Sequence, residues 1–162
     1  MANYNNTRTD RRPGGFNRKP ERTADFDDNT PLDLPADYVD EAERVIQKLG
    51  QPDRYNPSKL RFSITTSKLR NILTLVSDIY NIESRRTEET LLPESYAKLQ
   101  MLRIRILYEC GRYEKEVRPF VKESKLLRYI KGIEKNRQKM IDFSHYMEAL
   151  VAFHRYFGGR EN

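Results

Sequence analysis

Cysteine is nearly absent from this sequence, with Cys110 as its one example. No internal disulfide can form, and a cysteine-based zinc site is out of reach. Histidine is almost as scarce: His145 and His154 are the only two. On one helix that spacing turns them about half a turn apart, so they cannot share a metal without ligands from elsewhere. A zinc-protease pair would stand four apart. No apolar run is long enough to span a bilayer, and the opening MANYNNTRTDRRPGGFNRKP is polar throughout, without a signal-peptide pattern. A reducing cytoplasm is the expected location, with no membrane partner.

Catalytic signals are missing too. No Gly-rich phosphate loop follows a strand. The acids are interleaved with bases, as on solvated helix surfaces. Cys110 lies in an apolar stripe beside Arg112; a reactive thiol needs a base and a positive pocket, and a buried, inert thiol fits better. No catalytic residue, metal or cofactor is therefore expected, although a site built from residues distant in sequence escapes a motif search.

Charge is what the chain has in plenty. One third of the 162 residues are charged, only 37% are hydrophobic, and the net charge is +6. Such a balance fits a modest core under a large charged surface, and it favours a polyanionic partner. Residues 1–34 read as a disordered tail with Pro13, Gly14, Gly15 and Pro20, few aliphatics and no helical period. Its basic first part and its acidic end, with Asp25, Asp27, Asp28 and Asp33, cancel to zero net charge. Beyond residue 57 the balance is 21 Lys and Arg against 13 Asp and Glu, so the basic excess sits in the folded part.

Residues 35–162 read as all-α, a compact bundle of about five helices. A first helix over 35–49 turns Tyr38, Ala42, Val45 and Leu49 to one side, with Gly50 as its stop. Residues 51–63 form a Pro-punctuated connector. A second helix carries Leu69, Ile72, Leu73, Val76, Ile79 and Tyr80 on one face and ends near Arg85. Its first turn holds Lys68 and Arg70 but no acid, which is mildly unfavourable next to the positive end of a helix dipole. A third helix from Pro93 to Gly111 has two apolar stripes. Leu99, Leu102, Ile106 and Cys110 make one, and Met101, Ile104 and Tyr108 make the other. Burial on two sides follows, one against the core and one against another protein. Arg103 lies beside the first stripe, so it needs an acid or a partner. A fourth helical region spans 113–132, with breaks expected near Pro119 or Ser124. The fifth, 134–157, has a seam of Met140, Phe143, Met147, Leu150, His154 and Phe157.

Within 117–139, eight bases face two acids. Arg118, Lys122 and Lys125 fall at helical spacing for one shared face. A solvated face and a phosphate-tracking surface both fit such a run. Tyrosines beside bases, such as Tyr108, Tyr113, Tyr129 and Tyr156, either roof the core or stack on unpaired bases.

Three strings, ITTSKLRNIL (64–73), ILYECGRYEK (106–115) and FSHYMEALVAFHRYFGG (143–159), together resemble the small helical subunit of the type III-A CRISPR effector, the Csm complex. The resemblance covers about 60–159 and leaves the tail outside. It implies a non-catalytic subunit whose neighbouring copies stack as an inner filament beside the backbone subunits, in a complex that also holds a large subunit. It implies that these copies line the channel where guide RNA pairs with target RNA. On that reading Lys68 and Arg70 meet phosphate at a helix N-terminus whose N–H groups also favour an anion. Arg112 is the next candidate, Lys59 and Arg61 extend the patch, and Arg118, Lys122 and Lys125 stand on composition alone. Met101, Ile104 and Tyr108 are the candidate stacking surface. A helical protein-binding adaptor, a DNA-binding regulator and a metal-dependent nuclease remain as rivals. The regulator needs a short turn between two helices, and the segment 86–92 is long for one.

Overall fold

A computed structural model describes residues 30–162; the tail reading for 1–29 lies outside the described residues. The described chain forms six α-helices and one minimal hairpin: α1 (Tyr38–Leu49), β1 (Gln51–Pro52), β2 (Leu60–Arg61), α2 (Thr66–Glu83), α3 (Pro93–Arg112), α4 (Val117–Glu123), α5 (Leu126–Ile133) and α6 (Arg137–Tyr156). The all-α reading holds. The expected fourth helix is two, which takes the count from about five to six.

The break has a local cause. Ser124 Oγ donates back to the Phe120 carbonyl at 2.6 Å, a bond that competes with helix continuation. Lys125 follows with φ 54°, outside right-handed helical geometry, and α5 begins at Leu126. Tyr146, fully buried on α6, donates its hydroxyl to the Ser124 carbonyl at 3.0 Å and holds the corner in place. Burial pushes the Tyr146 phenol far above its ordinary range.

At the centre is α6. Asn136 caps it by accepting the Lys139 N–H at 2.9 Å. Met140, Phe143, Met147, Leu150 and His154 of the expected seam are all buried, joined by Tyr146. The seam packs on α2, α1 and α5, while α3 covers the other side of α2 and meets α4 and α5. The first stripe of α3 (Leu99, Leu102, Ile106, Cys110) is buried, and Met101, Ile104 and Tyr108 lie outside.

Two segments read as irregular have definite places. The connector holds the β1–β2 pair, with Gln51 opposite Arg61 and Pro52 opposite Leu60. Asp53 closes its loop by accepting the Tyr55 and Asn56 N–H groups at 2.8 and 3.1 Å, ordinary Asx-turn chemistry. Strands of two residues are too short for alternation to reveal. Residues 30–34, assigned to the tail by composition, lie along α5: the Leu32 N–H donates to the Arg128 carbonyl at 3.1 Å, and Lys139 reaches Asp33 at 2.6 Å.

Candidate nucleic-acid interface

The start of α2, the end of α3 and the chain after α6 meet at one end of the bundle. Thr65 caps α2, its hydroxyl accepting the Lys68 N–H at 3.4 Å. Lys68 projects from the first turn over the Tyr113 ring, 4.3 Å from its centroid, and pairs with Glu116 at 2.6 Å. Arg112, the last residue of α3, lies 5.1 Å from the same ring. One tyrosine thus carries a cation from each of two helices. Arg112 also suits the negative end of α3. Around them is a groove of about 430 Å³ that includes Ser67, Asn71, Arg105 and Glu109.

Arg70 faces the chain's last described residues. It pairs with Glu161 at 3.1 Å, and Arg155 approaches the same carboxylate at 3.8 Å. The N–H groups of α2's first turn are already taken. Thr66 donates to the Arg160 carbonyl at 2.7 Å and Ser67 to the Glu161 carbonyl at 3.3 Å. The expectation that this helix terminus offers free N–H groups to an anion is therefore corrected; only side chains can serve there.

Lys59 and Arg61 lie beside this end, on the hairpin. They line a groove of about 670 Å³ with Arg155, Arg160 and Glu161. The hairpin is tied in by the Leu60 N–H, which donates to the Phe157 carbonyl at 2.7 Å. Gly158 enables the return with φ +113°, a conformation that favours glycine. Asp53 is held below the usual carboxylate range, chiefly by the Tyr55 N–H.

Arg118, Lys122 and Lys125 do not share one face, because α4 ends at Glu123. Arg118 pairs with Glu114 at 2.8 Å, Lys122 is exposed on α4, and Lys125 turns to Glu41 of α1 at 3.2 Å. Their spacing gives one shared face only on a continuous helix, and α4 stops at Ser124.

Sequence reading missed Arg105 and Arg155. Arg105 lines the groove at Tyr113 and pairs with Glu109 at 3.2 Å. Its i, i+7 relation to Arg112 was the available signal. Arg155 had none, because its neighbours come from the chain after α6.

Other reactive groups are structural. Burial lifts the Cys110 thiol to about 11, so no thiolate forms near neutral pH. His154 is buried and its pKa is lowered by desolvation; its ring bonds to the Ile64 carbonyl at 3.1 Å and to Thr66 Oγ1 at 3.3 Å. His145 lies against Tyr38 and Tyr80. Among the described residues no group of three or more His, Cys, Asp and Glu is arranged to hold a metal, and no helix is long and apolar enough to cross a membrane.

A second surface is apolar. Met101, Ile104 and Tyr108 are 62%, 57% and 55% exposed on α3. Beside them a groove of about 550 Å³ between α2 and α3 is floored by Ile72, Leu75, Leu102 and Val117.

Comparison with known proteins shows which family the chain resembles. A family model described as Csm2 Type III-A matches residues 36–160. A protein named "CRISPR system Cms protein Csm2" from Mycobacterium tuberculosis (strain ATCC 25618 / H37Rv) is 36% identical over 125 residues, 77% of this chain and 94% of that protein. One of the same name from Streptococcus thermophilus is 34% identical over 124 residues, covering 76% and 93%. Another, from Enterococcus italicus, is 30% identical over 128 residues, covering 78% and 88%.

Proposed function

Since this chain belongs to the Csm2 family of type III-A CRISPR systems, we propose that it is a non-catalytic, RNA-contacting scaffold of the Csm complex in the cytoplasm. Copies stack against one another beside the backbone and large subunits, and their basic ends follow the backbone of the guide RNA–target RNA duplex. The observation that carries this reading is a convergence. The three strings that resemble the family supply Lys68, then Arg112 with Tyr113, then Arg155, and all four lie at one end of the bundle. Lysine and arginine hold phosphates by charge without reading bases, and the half-buried Tyr113 ring between cations presents an edge of aromatic surface beside them. Lys59, Arg61 and Arg70 widen that end. Arg118, Lys122 and Lys125 are secondary phosphate contacts, since the end of α4 at Glu123 keeps them from forming one shared face. Met101, Ile104 and Tyr108 with the adjacent groove form one stacking surface.

Pull-down of the tagged chain from its host at mild salt tests the assembly. Guide RNA of defined lengths, recovered with a backbone and a large subunit, is the expected outcome; the chain alone, or with one unrelated protein, overturns it. The basic end is tested by salt titration of RNA binding. Each single-strand phosphate neutralised contributes roughly −0.7 to the log–log slope. Replacing Lys68 and Arg112 together with alanine flattens the slope by about 1.4, and an unchanged slope removes both from the site.

A further inference from the structure

Another groove, of about 340 Å³, lies on a different side of α3. Arg103 and Arg112 leave the helix about half a turn apart. The walls include Tyr96, Gln100 and Arg103 from α3, and Lys131, Glu134 and Lys135 from the end of α5 and the turn into α6. Arg103 is half-buried, and its Nε is closed off without a hydrogen-bond acceptor. The sequence asked for an acid or a partner at this arginine. No acid answers it: among the described residues Arg103 makes no ion pair. A charged donor kept from water without an acceptor is a disfavoured arrangement that needs a reason.

The opposite wall is built on a held turn. Glu134 has φ 52° and ψ −110°, which a non-glycine residue adopts only under constraint. The constraint is visible. The Leu91 N–H donates to the Lys135 carbonyl and the Arg137 N–H to the Glu89 carbonyl, both at 2.8 Å, and Thr90 bridges to Asn136. Fixed in this way, Lys135 sets its ammonium 5.4 Å from the centre of the Tyr96 ring. Three cations therefore line a groove containing one carboxylate, Glu134, beside an aromatic ring and a free-standing amide.

We infer that this groove is a second anion site, and that its ligand is a phosphate of an RNA strand. The Arg103 guanidinium with the Lys135 ammonium matches phosphate oxygens. The ring of Tyr96 and the amide of Gln100 suit a nucleotide better than an acidic side chain, because a base can stack on one and bond to the other. The inference rests on the RNA-binding reading above and extends it to another face of α3.

The test observes Arg103 directly. In the full chain, isotope-labelled, the arginine Nε–H resonances are recorded by NMR, and the Arg103 signal is assigned by its loss in Arg103→Lys. Titration with a short oligouridylate is expected to move that signal saturably. The Arg103→Gln, Lys135→Gln double variant is expected to lose about 1.4 from the log–log salt slope. A signal that stays put overturns the site, whether or not the Lys68–Arg112 end binds. Weakened binding in the Lys68 and Arg112 variant with the Arg103 signal still moving saturably supports two separate sites. Equal affinity for inorganic phosphate and the oligonucleotide overturns the RNA assignment, as does movement with an acidic peptide alone. Because the signal is read on the unsubstituted chain, misfolding of the double variant does not spoil the result.

Discussion

Glu83 is fully buried at the end of α2, where Arg86 donates to it at 2.6 Å and the Leu92 N–H at 3.0 Å. Burial raises its carboxyl pKa, but the neighbouring Ser95 hydroxyl, the Leu92 N–H and Arg86 together outweigh burial and the group titrates below its ordinary range. A depressed folded pKa stabilises the protein above the unfolded value of about 4.3. That contribution disappears as pH falls through the folded value. Glu83→Gln should therefore cost about 2 kcal/mol at pH 7. Urea denaturation should show the gap between variant and parent shrinking toward pH 3. This residue was hidden in the sequence, where NIESRR looks like a solvated helix end. The need of Arg103 for an acid or partner was visible, because an arginine beside a core stripe must be answered. The first-turn cations of α2 posed a question the sequence could not resolve. Lys68 and Arg70 find Glu116 and Glu161 at separations of 48 and 91 residues, and local patterning carries no record of such pairs.

Elements with strong periodicity were legible: the structure buries the face read for α2, the seam of α6 and the first stripe of α3, while the second stripe, Met101, Ile104 and Tyr108, is exposed in the single chain. What composition alone described was read less well. Residues 30–34 look like more tail, yet they lie on α5 because Gly132 leaves room. A Cβ at Gly132 would overlap the Leu32 carbonyl. Gly132→Ala should thus cost about 1–3 kcal/mol in chemical denaturation. Gly111→Ala is the control: nothing stands within 4 Å of a Cβ there, and a helical alanine gains up to about 1 kcal/mol over glycine. The segment after α6 is the other element that composition left blank. Its Glu161 carboxylate sits between Arg70 and Arg155, and the Arg70 and Glu161 side chains are 57% and 42% exposed. Pairs this exposed add little stability, but the carboxylate opposes an incoming phosphate. Glu161→Gln should leave thermal stability within about 0.5 kcal/mol and steepen the RNA salt slope by roughly 0.7 for one phosphate gained. Weaker RNA binding in this variant would make Glu161 part of the fold's anchoring instead.

For the whole molecule, the proposed stacking and the charge pull in opposite directions. The chain carries a net +6, and the part beyond residue 57 is more basic still. Like-charged copies repel over about 8 Å at physiological salt. Apolar contact on the outer stripe of α3 must outweigh that repulsion, or RNA must neutralise it. An open head-to-tail stack repeats one junction along its length, so one altered surface blocks growth at every junction. Tyr108 is the sensitive position on that surface. It is 55% exposed, with the Arg105 guanidinium 5.5 Å from its ring, so aspartate there places a buried charge in the junction while leaving the α3 core stripe untouched. Tyr108→Asp should leave the circular dichroism spectrum unchanged and abolish the larger assemblies that the proposed stacking predicts for the parent chain with RNA in light scattering. A lost helical signal would place Tyr108 in the core of the monomer. Unchanged assemblies with an intact fold would remove this stripe from the junction and leave the α2–α3 groove alone as its candidate.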